Sequence, residues 1–389
     1  MKRRSVLGAW PALAALSPAL WPALSGAATA PAAAAGSAIR FGQSASLSGG
    51  QSRYGRDVRD GIAAALQAAN RQEADKGAKA LRFELATLDD GGVKDRGVAN
   101  VRQLIDGGAT ALLGLTSGAI AEAALPAVEA ARIAMVGTAS GNMGIRQPSQ
   151  AAVCHVRAGY DAEYKRTVQY MRDFGLKRIG CVRLRDTSNA NLEAMHRALE
   201  AANVKPAVNA AIDRNSTDFG PAVRELLAAR VDAVLFATNA APILRMVEQL
   251  GNGGFAGMYF ASSFAGQDLV DGIALAGRSV IMSLVVPRPT ALGLPVVNQC
   301  RQDLTALGGG AKLGITTLEG YIAGRVAVEA ARAAAARGER PGRDSFRSAL
   351  STLQADLGGY RVNFGAQHGL HGSQYVDMVV INRHGHIVG

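Results

Sequence analysis

Two apolar spacings alternate along this chain. Val58, Ile62 and Leu66 stand four residues apart and predict a helix with one stripe laid against a sheet, whereas the apolar runs on either side are short and continuous, as buried strands require. Residues 39–70 (IRFGQSASLSGGQSRYGRDVRDGIAAALQAAN) therefore read as strand, loop and helix. Residues 80–88 form a second strand, closed by the turn residues Asp89-Asp90-Gly91-Gly92, and the next helix carries Val98, Val101 and Ile105 on one face. A short strand at 111–115 leads through Thr116-Ser117-Gly118 into a helix with Ile120, Ala124 and Val128. A strand at 133–136 runs into Gly137-Thr138-Ala139-Ser140-Gly141. Alternation at this spacing predicts right-handed βαβ crossovers and a parallel sheet.

A second series starts at Tyr160. Its expected elements are a helix at 160–173, a strand at 178–184, a helix at 189–202 with Leu192, Met195 and Leu199 inward, and a strand at 208–212. Asn215-Ser216-Thr217-Asp218 offers N-cap groups to a helix ending near Ala229. A strand at 231–236, a helix through Leu250, a glycine turn at 251–254 and strands at 258–261 and 279–286 follow. Pro287 and Pro289 mark a crossing between lobes. Helices are expected at 294–307, 316–337 and 343–353, and strands at 358–364 and 375–381. The long helix with Val326 and Val328 has enough apolar surface to pack on a lobe.

Loops after the strands of a parallel sheet open at its carboxyl edge, where open α/β folds bind ligands. Three such loops, 44–54, 116–118 and 137–141, are rich in hydroxyls and glycine. The first has Ser44, Ser46, Ser48 and Ser52 beside Gly49 and Gly50 and contains no acid. Exposed N–H groups and helix N-termini favour an anion, so this composition suits holding a carboxylate better than transforming it.

With 389 residues, 48% hydrophobic and 5% aromatic, the chain is long enough for two domains with sizeable cores. Its start has the three parts of an export signal: Lys2, Arg3 and Arg4, an apolar run over 6–24, and Ala28-Thr29-Ala30. This predicts a signal peptide at 1–30 and a flexible linker at 31–38. An uncleaved anchor is the alternative, interrupted by Pro11, Pro18 and Pro22, and RRSVL is compatible with twin-arginine as well as general export. No second run of spanning length follows. The net charge of +11 includes the three basic residues of the signal, and the rest are spread singly without aromatic interleaving, which argues against nucleic acid. Cys154, Cys181 and Cys300 fall in apolar strands and a helix and read as buried free thiols.

The segments GQSASLSG with YGRDVRDGIAAALQAAN, LATLDDGGVKDRGVANVRQLID, ALLGLTSGAIAEAALP, IAMVGTASG, VDAVLFATNAAPILRMVEQLG and NFGAQHGLHGSQYVDMVVI run in order along the chain. Together they resemble the branched-chain amino-acid type of periplasmic binding protein, the receptor component of an ABC importer. The resemblance implies an α/β fold of type I, with two Rossmann-like lobes whose parallel sheets are joined by a three-segment hinge. Here lobe 1 would comprise 39–156 plus 287–353 and lobe 2 157–286 plus 354–389, with crossings near 153–157, 285–289 and 353–357. It also implies a monomer in the periplasm, no cofactor, no catalysis, and a membrane permease that recognises the closed form.

In that family a hydroxyl and backbone amides of the first lobe hold the ligand carboxylate. The matching positions are Ser117, Thr138, Ala139 and Ser140, with Ser48 and Tyr54 bordering the same space. Family amino-acid binders also set a second-lobe carboxylate against the ligand ammonium. The corresponding loop here, ATNAAP at 237–242, has none. An ammonium buried without a compensating charge is costly, which weighs toward an aromatic or aliphatic acid over an amino acid. Asp186 or Asp268 could substitute, although helix capping or a turn explains either. Asn239, Ser263 and Phe264 are candidate second-lobe wall residues, with strand-end packing as their alternative.

No G-x-G-x-x-G follows the first strand, and G-x-S-x-G, P-loop and H-E-x-x-H motifs are absent. His368-x-x-His371 and His384-x-His386 lack a carboxylate or Cys cluster, and 382–385 reads as a hairpin turn in preference to a metal site. A ligand-sensing regulator of the same fold, or an exported hydrolase with dispersed catalytic residues, are the competing classes.

Overall fold

The computed structural model describes residues 38–147, 152–213, 216–338, 341–365 and 369–388. The expected export signal, most of the linker, Asn215 and His368 lie outside the described residues.

The first lobe starts from β1 (Ile39–Ala45), α1 (Ser52–Glu73), β2 (Phe83–Asp89), α2 (Lys94–Asp106), β3 (Ala111–Leu113), α3 (Gly118–Ala130), β4 (Ala134–Val136) and β5 (Val153–Cys154). Its five strands are all parallel, in the order β2-β1-β3-β4-β5. Val58, Ile62 and Leu66 of α1 are buried, as their spacing requires. On α2 the inner face is not the expected one. Gly97, Asn100, Val101 and Leu104 are buried, while Val98 and Ile105 are only partly so. Packing against α3 sets this rotation: a Cβ on Gly97 would lie 2.4 Å from Ile120 Cδ1, so only glycine lets the helices approach here.

The second lobe contains α4 (Tyr160–Asp173), β6 (Ile179–Leu184), α5 (Asn189–Ala201), β7 (Val208–Ile212), α6 (Gly220–Ala228), β8 (Ala233–Ala237), α7 (Ala240–Asn252), β9 (Met258–Ala261), α8 (Gly266–Ala276) and β10 (Val280–Leu284). The helix α8 was not among the expected elements, although Leu269, Val270 and Ile273 form its buried face. The chain then returns to the first lobe as α9 (Pro295–Leu307), α10 (Ile315–Ala336) and α11 (Arg343–Leu350). α10 crosses α1 closely, and a Cβ on Gly61 would sit 2.0 Å from the Thr317 carbonyl oxygen.

Residues 358–364 do not form one strand. Instead β11 (Gln354–Asp356) and β12 (Arg361–Asn363) make an antiparallel hairpin. Gly358 and Gly359 take φ of +98° and +93°, and their amides donate to Asp356 Oδ1, so the paired glycines form the turn. The chain finally adds β13 (Asp377–Ile381) and β14 (Ile387–Val388) to the second sheet, whose order is β14-β13-β10-β9-β8-β6-β7. β13 and β14 are its antiparallel members.

The passages between the sheets are bonded to one another. The buried Tyr360 hydroxyl lies 2.9 Å from the Val156 carbonyl oxygen, to which it donates, and 3.2 Å from that of Val285. The His155 amide donates to the Leu370 carbonyl and the Gly372 amide to that of His155. One buried hydroxyl therefore touches two crossings from the hairpin that begins the third.

Candidate functional site

The carboxyl ends of both sheets border a cavity of about 90 Å³, several times the space that one water needs. Its first-lobe wall is the start of α3 and the loop after β4. Ser117 is the N-cap of α3, its side chain accepting from the Ile120 amide at 3.3 Å, and Gly118 and Ala119 of the first turn also line the space. A helix N-terminus with hydroxyls beside it favours a carboxylate. Ser140 accepts from the Asn142 amide at 3.2 Å and bonds the Tyr160 hydroxyl, a group whose pKa is raised by burial.

Two carboxylates reach the same cavity. Glu122 lies one turn into α3 and accepts from Asn142 Nδ2 at 2.9 Å. Asp186 follows β6 in the second lobe. Among the described residues the lining contains no Lys, Arg or His. Leu184, Ala237, Tyr164 and Phe264 supply the apolar surface. At one rim the lobes meet directly, where the Met143 amide donates to Asn191 Oδ1 at 2.7 Å and Ser188 Oγ to Asn142 Oδ1 at 3.3 Å.

Of the residues expected from sequence, Ser117, Ser140, Asp186 and Phe264 come together on this cavity. Ser48, Tyr54, Thr138, Ala139, Asn239 and Ser263 are not part of its lining. Ser48 instead donates to Asp89 Oδ2 at 2.6 Å, and the Leu47 and Ser48 amides donate to Asp89 Oδ1. Ser44 and Ser46 hold Asp90 in the same way. The first loop thus binds carboxylates, but they belong to its own chain. The Ser48 hydroxyl and these amides bring the Asp89 pKa down to about 2. Only Gln51 of this loop reaches the cavity.

Tyr54 is buried and donates to the Ala139 carbonyl oxygen at 2.8 Å, fixing the loop after β4 from behind. Thr138 is buried, and its hydroxyl has no hydrogen-bond partner among the described residues. Asn239 precedes α7, near the Thr238 hydroxyl. Ser263 lies under the wall formed by Ser262 and Phe264. Asp268 is in α8, where it pairs with Arg53 at 3.3 Å. Glu122, Asn142, Tyr160 and Asn191 escaped the sequence reading, which stopped at the loops. Glu122 is four residues beyond Gly118, so counting one turn into the helix would have put it on the loop side.

Cys154, Cys181 and Cys300 are free and buried, and burial pushes the first two thiols up to about 12. Among the described residues no group of three or more His, Cys, Asp or Glu could hold a metal ion, and no helix is long and apolar enough to cross a membrane.

Two parallel-sheet lobes, three passages between them and a polar cavity at the facing strand ends define a type I binding fold for a small molecule. The chain belongs to the periplasmic binding protein family, whose model matches residues 38–385. Solved structures agree over most of its length. A possible leucine/isoleucine/valine-binding protein from Rhodopirellula baltica SH 1 superposes with a TM-score of 0.83 at 24% identity, covering 93% of this chain and 98% of that one. A substrate-binding periplasmic protein from Ralstonia solanacearum gives 0.80 at 27%, covering 90% and 99%. A solute-binding protein of an ABC transporter from R. palustris, in complex with 4-hydroxybenzoate, gives 0.73 at 15%, covering 88% and 92%. A search of curated protein sequences returns no match.

Proposed function

We propose that this chain is the periplasmic receptor of an ABC importer and that its cleft takes a small amino acid, which the closed protein delivers to a membrane permease. The N-terminal segment exports it, and it acts as a monomer without a cofactor. The carrying observation is the pairing of two chemistries on one cavity wall: the hydroxyls of Ser117 and Ser140 beside the start of α3, and the Glu122 carboxylate one turn further along the same helix. A ligand with only a carboxylate would leave the Glu122 carboxylate facing a like charge. An amino acid carries both charges, its carboxylate suited to Ser117, Ser140 and the α3 N-terminus, its ammonium to the acids. The loop at 237–242 lacks an acid, and Asp186 and Glu122 take over that role.

The relatives allow either chemistry. The R. baltica protein is described as a possible leucine/isoleucine/valine-binding protein, and the R. palustris protein holds an aromatic acid without an amine. The test is thermal unfolding of the full chain with each of the common amino acids and with isocaproate, propionate and benzoate, since a ligand of the native state raises the unfolding temperature. Stabilisation by amino acids and not by the amine-free acids is expected; the reverse order would overturn the proposal.

A further inference from the structure

Behind the cavity lies a buried ionic network that the ligand reading does not use. Arg157, 2% exposed, follows β5 on the first passage between lobes. Its guanidinium pairs with Glu163 of α4, donates to Ser263 Oγ at 2.6 Å and to the Ala158 carbonyl oxygen at 3.1 Å, and meets Glu319 Oε1 of α10 at 3.1 Å. Glu163, 0% exposed, also accepts from the Ser263 amide at 2.9 Å, the Ser263 hydroxyl at 2.9 Å and the Ser283 hydroxyl at 2.6 Å. Breaking a buried ion pair by removing one partner leaves an uncompensated charge.

The partners are distributed unevenly. Glu163, Ser263 and Ser283 belong to the second lobe, where they are bonded to one another and to Arg157. Glu319 belongs to α10, which is packed on α1 in the first lobe. Among the described residues its carboxylate has Arg157 as its hydrogen-bond partner. Ser263 lies between Ser262 and Phe264, both of which line the cavity. The network therefore touches the ligand wall at one end and the opposite lobe at the other.

We propose that Glu319 is a positioning residue for ligand capture: its pairing with Arg157 holds the lobes together, and Arg157 with Glu163 ties that closure to the Ser262–Phe264 wall. This rests on the cavity being the ligand cleft. Burial raises the Glu319 pKa, against the pull of Arg157, while the two carboxylates hold the guanidinium above its ordinary value although burial alone would lower it. The pairing with Arg157 thus offsets a desolvation cost that Glu319 would otherwise bear alone.

The experiment uses the full chain without ligand. Spin labels on cysteines replacing the exposed Gln103 and Glu200, one on each lobe, report the interlobe distance by pulsed electron resonance. Glu319→Gln should shift the balance toward the longer separation by about tenfold, the ratio that one charge-assisted hydrogen bond sustains. Arg157→Lys keeps the charge and loses the two-pronged geometry, and should shift it in the same direction if Glu319→Gln does not fold. Val326→Ala in the core of the same helix lowers stability and should leave the distances unchanged. Wild-type distances in Glu319→Gln, or an equal shift in Val326→Ala, would overturn the proposal. Failure of the ligand reading shows separately: no amino acid would change the wild-type distances, while the Glu319→Gln shift would persist.

Discussion

Ser117 has two duties, and they can be separated. Its side chain caps α3 through the Ile120 amide and also borders the cavity. Ser117→Ala removes both. Loss of an N-cap typically costs ~1 kcal/mol, which in a chain of this size lowers the unfolding temperature by about 2 °C. Loss of a hydrogen bond to a ligand carboxylate costs ~1.5–3 kcal/mol, equivalent to an affinity loss of roughly 10- to 150-fold. Ser117→Asn restores the cap, since asparagine is among the best N-cap residues, but sets a larger amide into the cavity. Scanning calorimetry should therefore show a lower midpoint for Ser117→Ala and a wild-type midpoint for Ser117→Asn. Titration calorimetry with the amino acid that stabilises the wild type most should show both weakened. If Ser117→Ala loses thermal stability yet binds with wild-type affinity, the serine is a cap and nothing more, and the carboxylate does not sit at the start of α3.

Other consequences follow from the packing and the buried charges. Tyr360→Phe removes the hydroxyl that reaches the Val156 and Val285 carbonyl oxygens and should cost about 1–3 kcal/mol in urea unfolding; an unchanged midpoint would mean the passages are held by other contacts. Gly61→Ala forces a methyl group against the Thr317 carbonyl oxygen and should destabilise by about 1–3 kcal/mol through separation of α1 from α10, with wild-type stability counting against that close approach. Burial pushes the pKa of His155 down, helped by Arg146 and His371 beside it, and His371 is lowered for the same reason with Asp161 opposing. Above the unfolded value of about 6.5 these histidines are neutral in both states, and as pH falls below it the unfolded chain takes protons that the native chain refuses, so stability is lost. Asp57, raised to about 6 by burial, works in the opposite sense as pH rises from about 4 to 6. The difference between wild type and His155→Gln isolates the histidine term: the fall in melting temperature from pH 7 to pH 5 should be smaller in the variant, and an equal fall would remove His155 from the account.

The local rules carried much of the fold. The spacing of Val58, Ile62 and Leu66, the helix at 160–173 and the short apolar runs at 208–212 and 258–261 are written in adjacent residues, and the structure has elements there. What escaped depends on partners far away in sequence. The serines of the first loop looked available for a ligand because nothing nearby opposed them, yet Asp89 and Asp90 arrive from the neighbouring strand end to occupy them. The face of α2 was turned by Gly97 meeting Ile120. Gly358-Gly359 was read through as strand when its positive φ angles required a turn. Arg157, Glu163 and Glu319 carry no motif at all, since Glu319 is 162 residues from the arginine it meets. At the cavity, Asp186 was legible as an acid at a strand end beside the acid-free loop, whereas Glu122 comes from inside a helix, one turn beyond the loop that the pattern marks.

The most direct measurement is a pair of titrations, L-leucine and its amine-free counterpart isocaproate, into the wild-type chain and into Asp186→Asn/Glu122→Gln. The two ligands share a carboxylate and a branched side chain and differ in the ammonium alone. Leucine should bind the wild type and isocaproate should not, and the neutral variant should lose leucine affinity while gaining on isocaproate. Equal or tighter binding of isocaproate by the wild type would contradict the assignment of the cavity to an amino acid.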